Sequence, residues 1–288
     1  MKVSGFTFVR NAVKYDYPVV EAITSILPLC DEFVVCLGKS DDETELLVRS
    51  IPSDKIKIIH SVWDNSLRKG GKVLAVETDK AFDAISPDSD WAFYIQADEV
   101  VHEKYLPAIR QAMELHLSDA GVECLVLKYL HFYGSYKYVG NSRQWYRREV
   151  RVIRNDKGIR SYRDAQGFRR EEKKLNGKLV DAYVYHYGWV RNPYLLTTKI
   201  ADFDKLFHDN DGKLTVKQDV QFDYQNVASL ATFGDMHPQV MRQRVDSMNW
   251  QFEFDTSKRR LSFTHRVLEW VEKRTGKRFF EFRNYRLI

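Results

Sequence analysis

The sequence predicts an α/β protein: a mostly parallel sheet covered by helices on both faces, in three layers, with a helical C-terminal extension. Three observations predict it. Short apolar runs alternate with stretches of helical period through the first hundred residues, the signature of repeated strand–helix units. After about residue 117 the alternation gives way to strand-like runs separated by long polar and aromatic stretches. From about residue 237 the reading is helical.

The elements follow in order. Phe6-Thr7-Phe8-Val9 reads as the first strand; Asp16 then precedes Tyr17-Pro18, an N-cap followed by a first-turn proline, and Ala22, Ile23, Ile26 and Leu27 recur at helical spacing. Phe33 to Leu37 is the second strand, and Ser40-Asp41-Asp42-Glu43 is a capping-box pattern opening a helix through Leu46, Leu47 and Val48. Lys55 to Ile59 is the third strand. Gly70-Gly71 precedes a helix through Val73, Val76, Ala81, Phe82 and Ile85, and Trp91 to Ile95 is a fourth strand running straight into Gln96-Ala97-Asp98-Glu99. A helix spans roughly 102–117, and Cys124 to Leu127, Val150 to Ile153 and Leu179 to Tyr185 read as later strands. The organisation expected is a domain over 1–235, divided into 1–100 and 101–235, with a basic helical extension over 236–288.

Composition excludes several classes. Of 288 residues, 44% are hydrophobic and 30% charged, enough to bury a sizeable core and too little bias for disorder or collagen. No run of about 18 apolar residues is present to cross a membrane, and Met1 to Phe6 lacks the pattern of a secretory leader. Cys30, Cys36 and Cys124 lack metal-ligand spacing and read as reduced core thiols of a cytoplasmic protein. The net charge of +5 is uneven: residues 236–288 hold 12 Lys/Arg against 6 Asp/Glu, leaving a near-neutral body. That argues against nucleic-acid binding by the whole surface and leaves two readings of the tail. One is a helix packed on the domain. The other is a peripheral contact with the inner face of a membrane, basic residues meeting anionic lipid while Phe and Trp enter the interface.

Ligands of parallel sheets sit at the carboxyl ends of the strands, which places Arg10-Asn11, Gly38-Lys39-Ser40 and Asp98-Glu99 along one edge. A carboxylate there suits a hard divalent cation such as Mg²⁺ or Mn²⁺; the alternative is that Asp98-Glu99 caps the helix starting near Glu103. His186, in Tyr185-His186-Tyr187-Gly188-Trp189, ends a strand-like run beside a glycine that lets backbone approach a ligand. It reads either as a ligand completing a metal site or as a satisfied core histidine.

Residues Gly5 to Glu99 resemble the nucleotide-binding half of family 2 glycosyltransferases with the GT-A fold. The matching stretches are Phe6 to Asn11, Ser40-Asp41-Asp42-Glu43-Thr44, Lys69-Gly70-Gly71 with its helix, and Asp90 to Val101, whose Gln96-Ala97-Asp98 is similar to an Asp-x-Asp motif; Tyr185 to Arg191 is similar to the later metal-binding histidine segment. The resemblance covers about two thirds of the chain. It departs at Gln96, in the first acidic position of the motif, at Leu37, where an acid usually reads the nucleobase, and at Val76-Glu77, near the place of an Arg-Asn pair.

The resemblance implies inverting transfer of a sugar from a nucleotide-sugar donor, by default a UDP-sugar, to a glycan or lipid-linked acceptor, with Mg²⁺ or Mn²⁺ held by Asp98 and His186. It implies nucleotide-sugar contacts from Arg10, Asn11, Asp42, Lys69, Gly70, Gln96 and Asp98. It also implies a general base between the two motifs, for which Asp164 is the positional match and Glu149 and Glu99 compete. Turn formation is the alternative for Arg10, Asn11 and the glycine pair. A nucleotidyltransferase would carry a glycine-rich phosphate loop where Arg10-Asn11-Ala12 stand; a binding module of the same fold that has lost catalysis is the remaining rival.

Overall fold

A computed structural model describes residues 1–64, 66, 67, 69–207 and 220–288. The first half runs β1 (Val3–Val9), α1 (Val19–Ile26), β2 (Glu32–Gly38), α2 (Thr44–Arg49), β3 (Ile56–Ser61), α3 (Lys72–Asp83), β4 (Trp91–Tyr94) and β5 (Glu99–Val101). The remainder is α4 (Leu106–Leu115), β6 (Cys124–Tyr133), β7 (Ser135–Gly140), β8 (Arg148–Arg154), β9 (Ile159–Tyr162), β10 (Gly167–Arg170), β11 (Lys173–Trp189), α5 (Pro193–Phe207), β12 (Leu230–Thr232), α6 (Arg242–Asp246), α7 (Phe263–Thr275) and β13 (Tyr285–Leu287).

The central sheet has the order β3-β2-β1-β4-β8-β6-β11. All of these strands run in one direction except β8, which lies antiparallel between β4 and β6. The sheet is thus mostly parallel, in the α/β class the sequence predicts. Successive side chains feed opposite faces. Phe33, Val35 and Leu37 of β2 join Trp91 and Phe93 of β4 in a core under α1 and α4, while Val34, Cys36, Ala92 and Tyr94 pack beneath α3. Period-two geometry with both faces covered favours apolar side chains at the interior positions of these strands, which is why Phe33 to Leu37 and Trp91 to Tyr94 read as uninterrupted apolar runs. The three cysteines are free and buried.

Two local expectations change. Ser40 to Glu43 form no capping box: α2 begins at Thr44 with no side-chain cap from Glu43. Asp98-Glu99 do not cap a downstream helix; His102 does, its imidazole accepting from the Lys104 N–H at 3.2 Å, while Glu99 belongs to β5. The C-terminal segment carries α6 and α7 but ends in β13, which pairs in parallel with the start of β11, Leu175 opposite Tyr285.

Candidate active site

The carboxyl ends of β1 and β4, the end of β11 and the first turns of α5 enclose a cavity of about 770 Å³. Arg10, Asn11, Gln96, Asp98, Asp164 and His186 all line it. Sheet register explains part of this convergence. His186 of β11 is paired with His131 of the parallel neighbour β6 and, on its other side, with Glu99 of the antiparallel β5. Pairing with β5 therefore brings the end of β11 alongside the segment that carries Asp98.

Asp98 Oδ1 lies 3.8 Å from His186 Nε2, and Oδ2 lies 3.5 Å from Lys199 Nζ. Burial by itself would raise the Asp98 pKa; the charge His186 takes on when protonated at acid pH, with Lys199 and Arg191, outweighs it and holds the carboxyl to about 2. The same burial, with the Arg191 guanidinium, draws the Lys199 ammonium down to about 7 against the pull of Asp98. Gly188 is what leaves the space open. A Cβ at that position would come within 2.6 Å of His186 Cε1 and 2.9 Å of Asp98 Oδ2, filling the cleft between them.

The tautomer of His186 follows from hydrogen bonding. His131 Nε2 lies 2.8 Å from the Tyr146 carbonyl, which can only accept, so Nε2 carries the proton. Burial pushes His131 down to about 3, so it is neutral and its Nδ1 is an acceptor. His186 Nδ1, 3.3 Å away, must then donate to it. Burial lowers the His186 pKa as well, and its Nε2 presents a lone pair towards Asp98. A lone pair and a carboxylate facing each other across 3.8 Å repel unless a cation lies between them. The donor set therefore fits a divalent ion with one nitrogen and one oxygen ligand from the protein. Among the described residues no cluster of three or more His, Cys, Asp or Glu could hold a metal alone, so an ion held by this pair would need further ligands from outside it.

Replacing His131 by Phe should free the His186 ring to adopt either tautomer. Mn²⁺ affinity, titrated by electron paramagnetic resonance, is expected to fall roughly 10- to 100-fold, the usual cost of losing a partner behind a metal-binding histidine. Unchanged affinity would show that the relay does not set the tautomer.

Asp164 sits in the tight connection between β9 and β10, half-buried, with its pKa raised by burial. Both neighbours, Arg163 and Ala165, are left-handed at φ 57° and 62°, a conformation costing a non-glycine residue of order 1 kcal/mol or more. The turn is held from below. Gln96 Nε2 donates to the Ala165 carbonyl at 3.1 Å, and Arg151 Nη1 to that of Gln166 at 3.2 Å. Gln96, the departure from the acidic motif, thus ties the Asp164 turn to the end of β4.

Four expected site residues are placed differently. Glu99 does not face the cavity: it is fully buried, its carboxylate gripped by Arg151 at 2.7 and 2.8 Å and by the Tyr129 hydroxyl at 2.7 Å. A carboxylate locked in a buried ion pair cannot accept a substrate proton, and removing either partner costs about 3–5 kcal/mol. Glu149, its competitor, faces Asn284 at 3.0 Å instead. Asp42 accepts from the backbone N–H groups of Lys14 (2.7 Å) and Thr44 (3.0 Å), while its neighbour Asp41 lines the cavity. Gly70 is exposed outside the cavity lining, and with Gly71 it takes the left-handed conformation of a turn entering α3. The Lys69 side chain lies outside the described residues. Asn11 lines the cavity and also ties two loops together, its Oδ1 accepting from the Asp41 N–H at 2.9 Å and its own N–H donating to Ser40 Oγ at 3.0 Å.

Sequence reasoning missed His131, Lys199, Arg191 and Trp63. His131 becomes meaningful only through its register with His186. Lys199 depends on α5 folding back over the end of β11, which no local pattern announces. Trp63 stands against Gly38 at the end of β2, where a Cβ would meet its Nε1 at 2.4 Å, and the Arg10 guanidinium lies 5.4 Å from its ring. Arg10 Nε and Trp63 Nε1 are buried donors with no partner among the described residues.

No protein-family model matches the chain, and no curated protein matches it. Among solved structures it is similar to S. aureus TarS 1–349, at 17% identity over 70% of this chain and 64% of that one, with a TM-score of 0.40. The same fragment in complex with UDP gives 16% identity, the same coverage and a TM-score of 0.41. The chain is also similar to glucosyl-3-phosphoglycerate synthase from Mycobacterium tuberculosis in complex with Mn²⁺, UDP and phosphoglyceric acid, at 20% identity over 45% of this chain and 43% of that one, with a TM-score of 0.31. The chain covers less than two thirds of the length of each of these structures.

Proposed function

We propose that the chain is a glycosyltransferase that moves a sugar from a nucleotide-sugar donor, a UDP-sugar, to a hydroxyl of a glycan or lipid-linked acceptor with inversion, aided by Mg²⁺ or Mn²⁺. The carrying observation is that Asp98, the bare Nε2 of His186 and the half-buried Asp164 line one cavity although they come from three distant parts of the chain. In this reading residues 1–100 hold the nucleotide and 101–235 supply the acceptor side.

The chemistry divides among named groups. Arg10 and Trp63 form a wall with an aromatic face and two buried donors, suited to stacking on a nucleobase and donating to its carbonyls. Asp98 and His186 hold the divalent ion, which when bound offsets the charge that grows on the departing diphosphate. Lys199, against Asp98, adds a cation on the same side. Asp164 accepts the proton of the acceptor hydroxyl as its oxygen bonds to the anomeric carbon and the bond from that carbon to the diphosphate breaks.

Calorimetric titration with UDP tests the reading. Binding is expected to be tighter with Mn²⁺ than in EDTA, and a panel of UDP-sugars should include one that is slowly hydrolysed. Metal-dependent binding with no turnover of any donor, with or without acceptors, would favour a binding module that has lost catalysis; equal binding with and without metal would remove the Asp98–His186 cation from the account.

A further inference from the structure

Helix α7 is well formed but poorly covered. Ser262 Oγ accepts from the His265 N–H at 3.3 Å to start it. Gly276, left-handed at φ 68°, ends it by donating to the Glu272 carbonyl at 2.8 Å. Its inner side is fastened to the body by ion pairs, Glu269 to Arg259 and Glu272 to Arg143 and Arg147. No residue of the helix is buried. Phe263, Val267 and Trp270, spaced to share one face, are 80%, 43% and 59% exposed. Arg274 continues that stripe, its guanidinium 5.3 Å from the Trp270 ring. Beyond the helix Phe280 takes a left-handed backbone at φ 57° and turns out a ring that is 92% exposed, with Phe282 exposed beside it.

This apolar surface is set in positive charge. Residues 263–288 hold seven Lys/Arg against three Glu. Each of those glutamates is already engaged by arginine: Glu269 by Arg259, Glu272 by Arg143, Glu281 by Arg147 and Arg283. Just past the end of α7, Arg147, Arg148, Lys277, Arg278 and Arg283 line a concavity of about 400 Å³, a cationic hollow.

We propose that the outer face of α7 and the turn carrying Phe280 form a docking surface for an anionic lipid bilayer. Aromatic and aliphatic side chains enter the acyl boundary, while the surrounding Lys and Arg meet lipid phosphates. Among the described residues no helix is long and apolar enough to cross a membrane, so α7 lies along the surface. A second copy of the chain fits the face less well, because a two-fold contact would bring the same cations against one another. The two sequence-level readings of the tail are thus compatible: one side of α7 packs on the domain and the other is left for lipid.

Co-sedimentation of the full chain with vesicles tests this without donor or turnover, so its outcome and that of the transferase reading are separable. Vesicles of phosphatidylcholine containing phosphatidylglycerol should capture the protein, and raising salt should release it; pure phosphatidylcholine should capture little. The double variant Trp270→Glu/Phe280→Ser should bind at least about ten-fold more weakly, as should Lys273→Glu/Lys277→Glu, each reversed charge costing roughly five-fold or more. All four side chains are exposed, so melting temperatures should not move. Failure to bind anionic vesicles, binding by both double variants as tight as the parent's, or dimerisation abolished by Trp270→Glu would overturn the proposal.

Discussion

Asp98→Ala is expected to remove metal-dependent turnover, lowering it at least roughly 100- to 1,000-fold, the scale on which one preorganised stabiliser of developing charge acts. The carboxylate has two tasks. In the proposed reading it supplies the oxygen ligand opposite His186 Nε2, and it compensates Lys199 and the Arg191 guanidinium on the wall of the cavity. Removing it leaves those cations facing each other, so the variant should lose Mn²⁺ binding and also melt at lower temperature. The pH dependence has a definite sign. The folded-state pKa, about 2, lies below the unfolded value of about 3.9, so the stabilisation is complete above the latter and is lost as pH falls towards the former. Asp98→Ala should abolish that acid-side loss. Turnover at the parent rate would take Asp98 out of the mechanism, whatever happened to the melting temperature.

Asp164→Asn is expected to leave UDP binding and its Mn²⁺ dependence intact while lowering sugar transfer by roughly 100-fold or more, the loss that follows when a general base is removed. Asparagine has nearly the same shape, so the turn held by Gln96 and Arg151 should survive. Burial raises the Asp164 pKa. The parent kcat/KM should therefore fall on the acid side at a pH higher than an unperturbed aspartate would give, and the variant should lose that limb. If the limb persists in the variant, the titrating group lies elsewhere. Wild-type transfer would assign the base to another group, and Asp41, which also lines the cavity, would be next.

What was legible in the sequence was what local periodicity encodes. The strands buried on both faces announce themselves as unbroken apolar runs, and Asp98 follows directly from its place after β4. Gly188 was legible as a close approach, though not as the gap between Asp98 and His186. Asp164 was reachable only by position between two motifs, since a four-residue connection between β9 and β10 has no periodicity of its own. The short β5 and the inversion of β8 were not legible: three residues are too few for a period, and strand direction is a tertiary property. Misassignment of Glu99 follows from that. Beside Asp98 in sequence it looks like a second site carboxylate, but period two turns it away from its neighbour, and only β8 reveals Arg151 waiting for it. Asp42 failed for a similar reason, the adjacent Asp41 being the one turned into the cavity. His131 and Lys199 carry no sequence signal because their partners are more than fifty residues away or on another element.

The inverted strand β8 has a consequence for how the chain can be divided. It is hydrogen-bonded to β4 from the first hundred residues and to β6 from the next stretch, and it delivers Arg151 to Glu99. A fragment ending near residue 100 would leave β4 as a bare apolar edge, open to mispairing with other chains, and Glu99 as an isolated charge in hydrocarbon surroundings. The two stretches therefore meet as a mortise and its tenon, inseparable as expressed pieces, and exchange of the first hundred residues between related proteins would have to carry the matching β8 along.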